Sequence, residues 1–155
     1  MCVSRRCNKL VRVLTGLWLV CGWGLGNTAP SSWAEERRFR LTPGAESLLI
    51  ELDDRAVARY VFRDPRVPRP YFDRVRTISG IEVTRPNPPR EGLDPTDHIG
   101  LHTGMWLSFG DLNGNDYWRL KARTEHEGFV GEPVTRDGEA SFVVRNQYLA
   151  SGGDE

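Results

Sequence analysis

The chain has 155 residues, and its 21 Lys+Arg balance 21 Asp+Glu, so it is formally neutral. That length fits one domain with one core. At 39% apolar, 27% charged and three cysteines, the composition excludes a disordered chain, a disulfide-stapled miniprotein and a polytopic membrane protein.

The first 34 residues read as a signal peptide. Arg5, Arg6, Lys9 and Arg12 precede any acid, an apolar run from Leu10 to Leu25 follows, and Ser32 and Ala34 supply the small residues that a signal peptidase reads. The run is interrupted by glycines and falls short of the ~20 residues that span a bilayer. An uncleaved N-terminal anchor is the alternative. A lipoprotein site at Cys21 is disfavoured by the bulky Trp18-Leu19-Val20 before it. Cleavage takes Cys2, Cys7 and Cys21 away and leaves 17 basic residues against 21 acidic ones, a net charge of −4. An exported domain over 35–155, periplasmic or secreted, is therefore acidic and free of disulfides. That charge removes the electrostatic basis for binding nucleic acid or an anionic membrane.

In chain order, residues 37–42 alternate as a first or edge strand would. Residues 46–62 carry apolar residues at helical spacing, yet Asp53-Asp54-Arg55 reads as a turn between strands 47–52 and 56–62. Pattern alone divides evenly between helix and hairpin, and the β-rich context selects the hairpin. The proline-rich run 64–70 suits neither helix nor central strand. Short strands are expected at 71–76 and 80–84, then an irregular loop at 85–96 of the kind that carries function. Asn113-Gly114 between apolar runs predicts a hairpin joining 106–109 to 117–120. Residues 124–130 and 140–149 give two more strands around Asp137-Gly138. Many short strands and no convincing helix define an all-β, β-sandwich class.

The densest chemical cluster is Asp97-His98-Ile99-Gly100-Leu101-His102, and His126 is the only other histidine. Imidazole beside carboxylate serves as a general acid or base, or binds a hydroxyl. Asp97, His98, His102 and His126 can also be read as ligands for a divalent metal, although their spacing matches no known metal signature. The plain alternative is a set of polar residues fixing a long loop. Asp111 to Asp116 invites a calcium reading, but its sixth position lacks glycine, Ala122 replaces the closing Glu, and no helix flanks it. Tyr71, Phe72, Trp106, Phe109, Tyr117 and Trp118 lie near the same loops. Such rings stack on sugar faces while Arg69, Asp97, His98 and Asn113 bond hydroxyls; Phe109 and Trp118 are instead expected in the core.

Arg69-Pro70-Tyr71-Phe72, Val83-Thr84-Arg85, Asp97-His98 with His102, Gly104-x-Trp106-Leu107 and Gly110 to Trp118 resemble the bacterial family that bears the name methane oxygenase PmoA, as does Val143-Val144-Arg145-Asn146. The resemblance spans about residues 45–150. It implies a β-sandwich of the galactose-mutarotase-like supersandwich kind, a link to carbohydrate metabolism, and Arg69, Asp97, His98, His102 and Trp106 as site residues. Members are longer than residues 35–155, so it further implies that the chain is the truncated N-terminal part of such a sandwich. Many members carry a denser Asp-His-Pro-His-His block, which weakens a metal reading here.

Three functions follow as expectations. The first is an exported, sugar-binding or sugar-active protein with Arg69, Tyr71, Trp106 and Asn113 contacting substrate. There His98 or His102 would move the proton and Asp97 would orient the imidazole. The second is a non-catalytic interaction module or inactive fragment. The third, suggested by the family's name, is a metal-dependent oxygenase.

Overall fold

The computed structural model describes residues 37–152 other than Asp137; the predicted signal peptide at 1–34 lies outside the described residues. Eight strands form: β1 (Phe39–Pro43), β2 (Ser47–Leu52), β3 (Arg55–Val61), β4 (Tyr71–Asp73), β5 (Arg123–Phe129), β6 (Val134–Arg136), β7 (Glu139–Ser141) and β8 (Val144–Leu149). All pairings are antiparallel, in a sheet ordered β1-β2-β3-β4 and the pairs β5-β8 and β6-β7. The protein is all-β. Among the described residues no helix is long and apolar enough to cross a membrane.

The contest between helix and hairpin at 46–62 is decided at the turn. Asp53 and Asp54 adopt φ of 49° and 61°. A two-residue hairpin loop whose twist matches its strands needs both central residues at positive φ, and aspartate tolerates that region. With Leu52 set opposite Arg55, alternation buries Leu48, Ile50 and Leu52 on one face. The helical spacing of the same residues is a coincidence that tertiary pairing overrides.

Register places Leu48, Tyr60 and Phe72 side by side across β2, β3 and β4. A second layer packs on this row through aromatic rings. Phe142 approaches Tyr60 and Phe72 with centroids 5.3 and 6.2 Å apart, and Phe129 of β5 meets Phe62 edge-on at 5.7 Å. Rings at these separations favour tilted and edge-to-face contacts, and each buried one contributes about 1.5–3 kcal/mol. Two facing antiparallel layers closed by inward side chains are what a sandwich requires. A smaller core of Val61, Val67 and Tyr71, with Trp106 packed against it, sits under the proline-rich segment. Pro68 accepts the Thr124 amide, which ties that segment to the start of β5.

Several expected strands are shorter than predicted or absent. The strand expected at 71–76 stops at Asp73, because Arg74 takes φ 51°, and only an isolated bridge from Arg76 to Glu82 continues it. The Asn113-Gly114 turn forms, with φ of 53° and 80° and a Leu112–Asn115 bridge, but 106–109 and 117–120 do not ladder together. The Asp116 carboxylate accepts the Arg119 amide, and its carbonyl accepts the Lys121 and Ala122 amides. The backbone therefore curls into a turn where a strand was expected. The single strand expected over 140–149 is two, β7 and β8, and β6 was not anticipated.

Candidate functional site

Asp97, His98 and His102 stand together on one exposed loop. His98 has φ 47°, and its carbonyl accepts the amides of Leu101 and His102, so the chain coils once and sets the two imidazoles edge to face, 5.5 Å apart. His98 Nδ1 lies 3.2 Å from Asp97 Oδ2. The His98 side chain is largely exposed, and a carboxylate at Nδ1 is the arrangement that orients an acid–base imidazole. The His98 contact, assisted by Arg85, holds the Asp97 carboxyl below the usual carboxylate range.

Arg85 sets the shape of this loop and was not singled out from sequence as a site residue. Its guanidinium donates to the carbonyls of Pro95, Asp97 and His102 at 2.6, 3.0 and 3.0 Å and lies 3.5 Å from Asp97 Oδ1. Its fixed fork of donors suits three carbonyls at once. An arginine at the mouth of a proline-rich loop is a weak cue, and nothing periodic marks it.

Arg69 joins the histidine loop to the next. It is 4% exposed and donates to Leu101 O at 2.6 Å and Trp118 O at 3.1 Å, with its guanidinium carbon 3.5 Å from the centre of the Trp106 ring. Trp106 in turn meets Trp118 edge-on at 4.6 Å. One buried cation thus draws the segment carrying His98 and His102 and the segment carrying Trp118 against the same indole. Burial lowers its pKa to about 10, which leaves it charged at neutral pH.

Other predicted residues sit elsewhere. Tyr71, expected to contact substrate, is 2% exposed and built into the core. Its hydroxyl donates to Asp64 and accepts from Asn87 at 2.7 and 2.8 Å, and burial together with Asp64 pushes its pKa up. Asp73, wholly buried, pairs with Arg59 and accepts the Asn87 amide. Tyr71 therefore belongs to a structural polar network and presents no ring face to a sugar. Asn113 is exposed at the tip of its turn, where its carbonyl accepts the Asn115 side chain. Phe109 and Trp118, expected in the core, remain 42% and 46% exposed. Sequence pattern could not foresee this, because the hairpin that would have turned them inward does not form.

His126 is separated in kind from the other histidines. It lies on β5 in the aromatic layer, stacked on Phe62 at 4.7 Å and edge-on to Tyr60 at 5.9 Å. Among the described residues no group of three or more His, Cys, Asp or Glu is placed to hold a metal ion. The four-residue metal reading of Asp97, His98, His102 and His126 is thereby corrected, since His126 is drawn into ring packing by its strand. Burial holds His126 below the ordinary imidazole range, with Asn146 opposing and Arg63 adding to the shift. The unfolded chain then binds the proton more readily than the folded one. The stability this contributes is whole above about pH 6.5 and is lost as pH falls through the folded value. Melting temperature should therefore decline from pH 7 to 5. His126→Phe, which keeps the ring stack, should flatten that slope; an unchanged slope would refute the assignment.

These features define an antiparallel all-β protein with a loop-borne carboxylate–imidazole cluster beside a partly exposed tryptophan pair. The chain belongs to a family of unknown function, DUF6807, whose model matches residues 47–155. No curated protein and no solved structure matches it.

Proposed function

We propose that the protein is an exported carbohydrate-binding β-sandwich whose site comprises Asp97, His98, His102, Trp106 and Trp118. The observation that carries this reading is the double hold of Arg69 on Leu101 and Trp118 beneath Trp106. It sets apolar ring surface beside exposed hydroxyl-binding groups, the two requirements of a sugar site. Where the protein is catalytic, His98 moves the proton through Nε2 while Asp97 holds Nδ1. The resemblance to the family named for methane oxygenase supports the same direction, through the link to carbohydrate metabolism it implies, and the basic and apolar order of residues 1–34 supports export.

Thermal-shift measurements with monosaccharides and disaccharides at millimolar concentration test it. A ligand that binds only the folded state stabilises by RT ln(1 + [L]/Kd), so at least one sugar should raise Tm. Trp118→Ala should abolish that rise, and His98→Ala should reduce it. Absence of any shift, or a shift indifferent to both substitutions, would remove the proposal.

A further inference from the structure

The acidic total of the exported portion conceals a basic segment, with seven arginines and two aspartates between residues 55 and 76. Part of that segment, with the start of β5, encloses a groove of about 380 Å³ lined by Arg63, Asp64, Arg69, Arg123, Glu125 and His126 among others. A small-ligand site begins at about this size. Its carboxylates are already committed. Arg123 and Glu125 pair at 3.2 Å, and Asp64 accepts from Tyr71, Asn87 and the Arg66 amide. Arg63 and Arg69, by contrast, form no ion pair among the described residues.

These two cations differ in a way that matters. Arg69 is nine-tenths buried, and its charge meets two carbonyl dipoles and the Trp106 ring but no carboxylate among the described residues. Among the described residues, its Nε, the nearby Thr124 hydroxyl and His126 Nδ1 are buried without a hydrogen-bond partner. A buried charge without a counter-ion raises the local potential, and an anion held in the groove offsets that cost. Arg63 is exposed, and its charge is felt at His126, so it is the arm that can meet an anion directly. A neighbouring groove of about 350 Å³ shares Arg63 and Asp64 and adds Arg59 and Arg66 to its wall. Arg59 and Arg66 are held there by Asp73 and Asp64, and Glu46 lines the same wall, so among the described residues Arg63 is the cation of that groove without an ion pair.

We infer that the groove at Arg63 and Arg69 binds the carboxylate of a small ligand, and that this ligand is a sugar acid of the uronate type. The charge requirement comes from the groove itself, whereas the sugar part rests on the function proposed above. Arg63 supplies the forked contact to the carboxylate, and Arg69 supplies the buried charge behind it.

Calorimetric titration of the full chain with glucuronate, glucose and lactate tests this. Glucuronate should bind more tightly than glucose, weaken with added salt, and lose about tenfold in affinity in Arg63→Gln, with partial recovery in Arg63→Lys. Lactate binding as tightly as glucuronate would keep the carboxylate site and overturn its assignment to a sugar. Glucose binding equal to glucuronate and indifferent to Arg63→Gln would overturn the inference while leaving the sugar reading intact. No carboxylate binding at all would overturn it outright.

Discussion

Replacing Gly104 with alanine is expected to cost about 3–5 kcal/mol of unfolding free energy. Gly104 has φ +119°, and a Cβ there would lie 2.0 Å from the Phe72 carbonyl oxygen. The atom in the way is main chain, so no side-chain rotation relieves the contact. Phe72 and Met105 exchange amide–carbonyl bonds of 2.7 and 2.9 Å across this point, the contact through which the segment after His102 attaches to β4. Alanine must break that exchange, at about 1 kcal/mol per bond, and bear a backbone conformation that L-residues avoid at about 1–3 kcal/mol. Gly100 is the control: a Cβ there would meet no atom within 4 Å, and its φ is not positive, so Gly100→Ala should change stability by less than about 0.5 kcal/mol. Urea denaturation of both variants measures the contrast, and equal effects would contradict the attachment described.

The second large effect is expected at Arg69. Arg69→Met keeps most of the buried stem but removes the donors to Leu101 O and Trp118 O and the cation above Trp106. Charge-assisted bonds of this kind are each worth about 1.5–3 kcal/mol, and the cation–π contact about 0.5–2. Removing a buried charge also relieves its desolvation, so the net loss should be about 2–4 kcal/mol. The loss should be local in character. Limited proteolysis should cut within 97–120 well before the β2–β3 hairpin is affected, because the guanidinium is what holds the two loops together. Arg69→Lys keeps the charge but not the fork, and should fall between Met and wild type. Wild-type stability and wild-type proteolysis in Arg69→Met would show that the loops are held by something else.

Turns set by local chemistry were legible in the sequence. Asp53-Asp54 and Asn113-Gly114 each sit between β-prone runs, and the turn residues act within a few positions of themselves. How far the flanking strands extend was not legible. The shortening of β4 follows from the backbone of Arg74, and the loss of the ladder around Asn113 follows from Asp116 capping Arg119. Without that ladder Phe109 and Trp118 stay exposed, while Tyr71 is buried by its own packing with Val61 and Val67 and its bonds to Asp64 and Asn87. At the site, Asp97, His98 and His102 are adjacent in sequence and so were found together. Arg85 and Arg69 act across 17 and 49 residues, and no spacing rule reaches that far.

The central claim is that sugar binds against the Trp106–Trp118 pair beside the histidine loop. The chain has five tryptophans, and the other three fall in residues 1–34, so the indole N–H signals in an NMR titration separate site from background. Titration of the full chain with monosaccharides, assigned through Trp106→Phe and Trp118→Phe, should move the signals of 106 and 118 in a saturable way and leave the other three in place. Signals that stay fixed at 106 and 118 across neutral and acidic sugars would contradict the account.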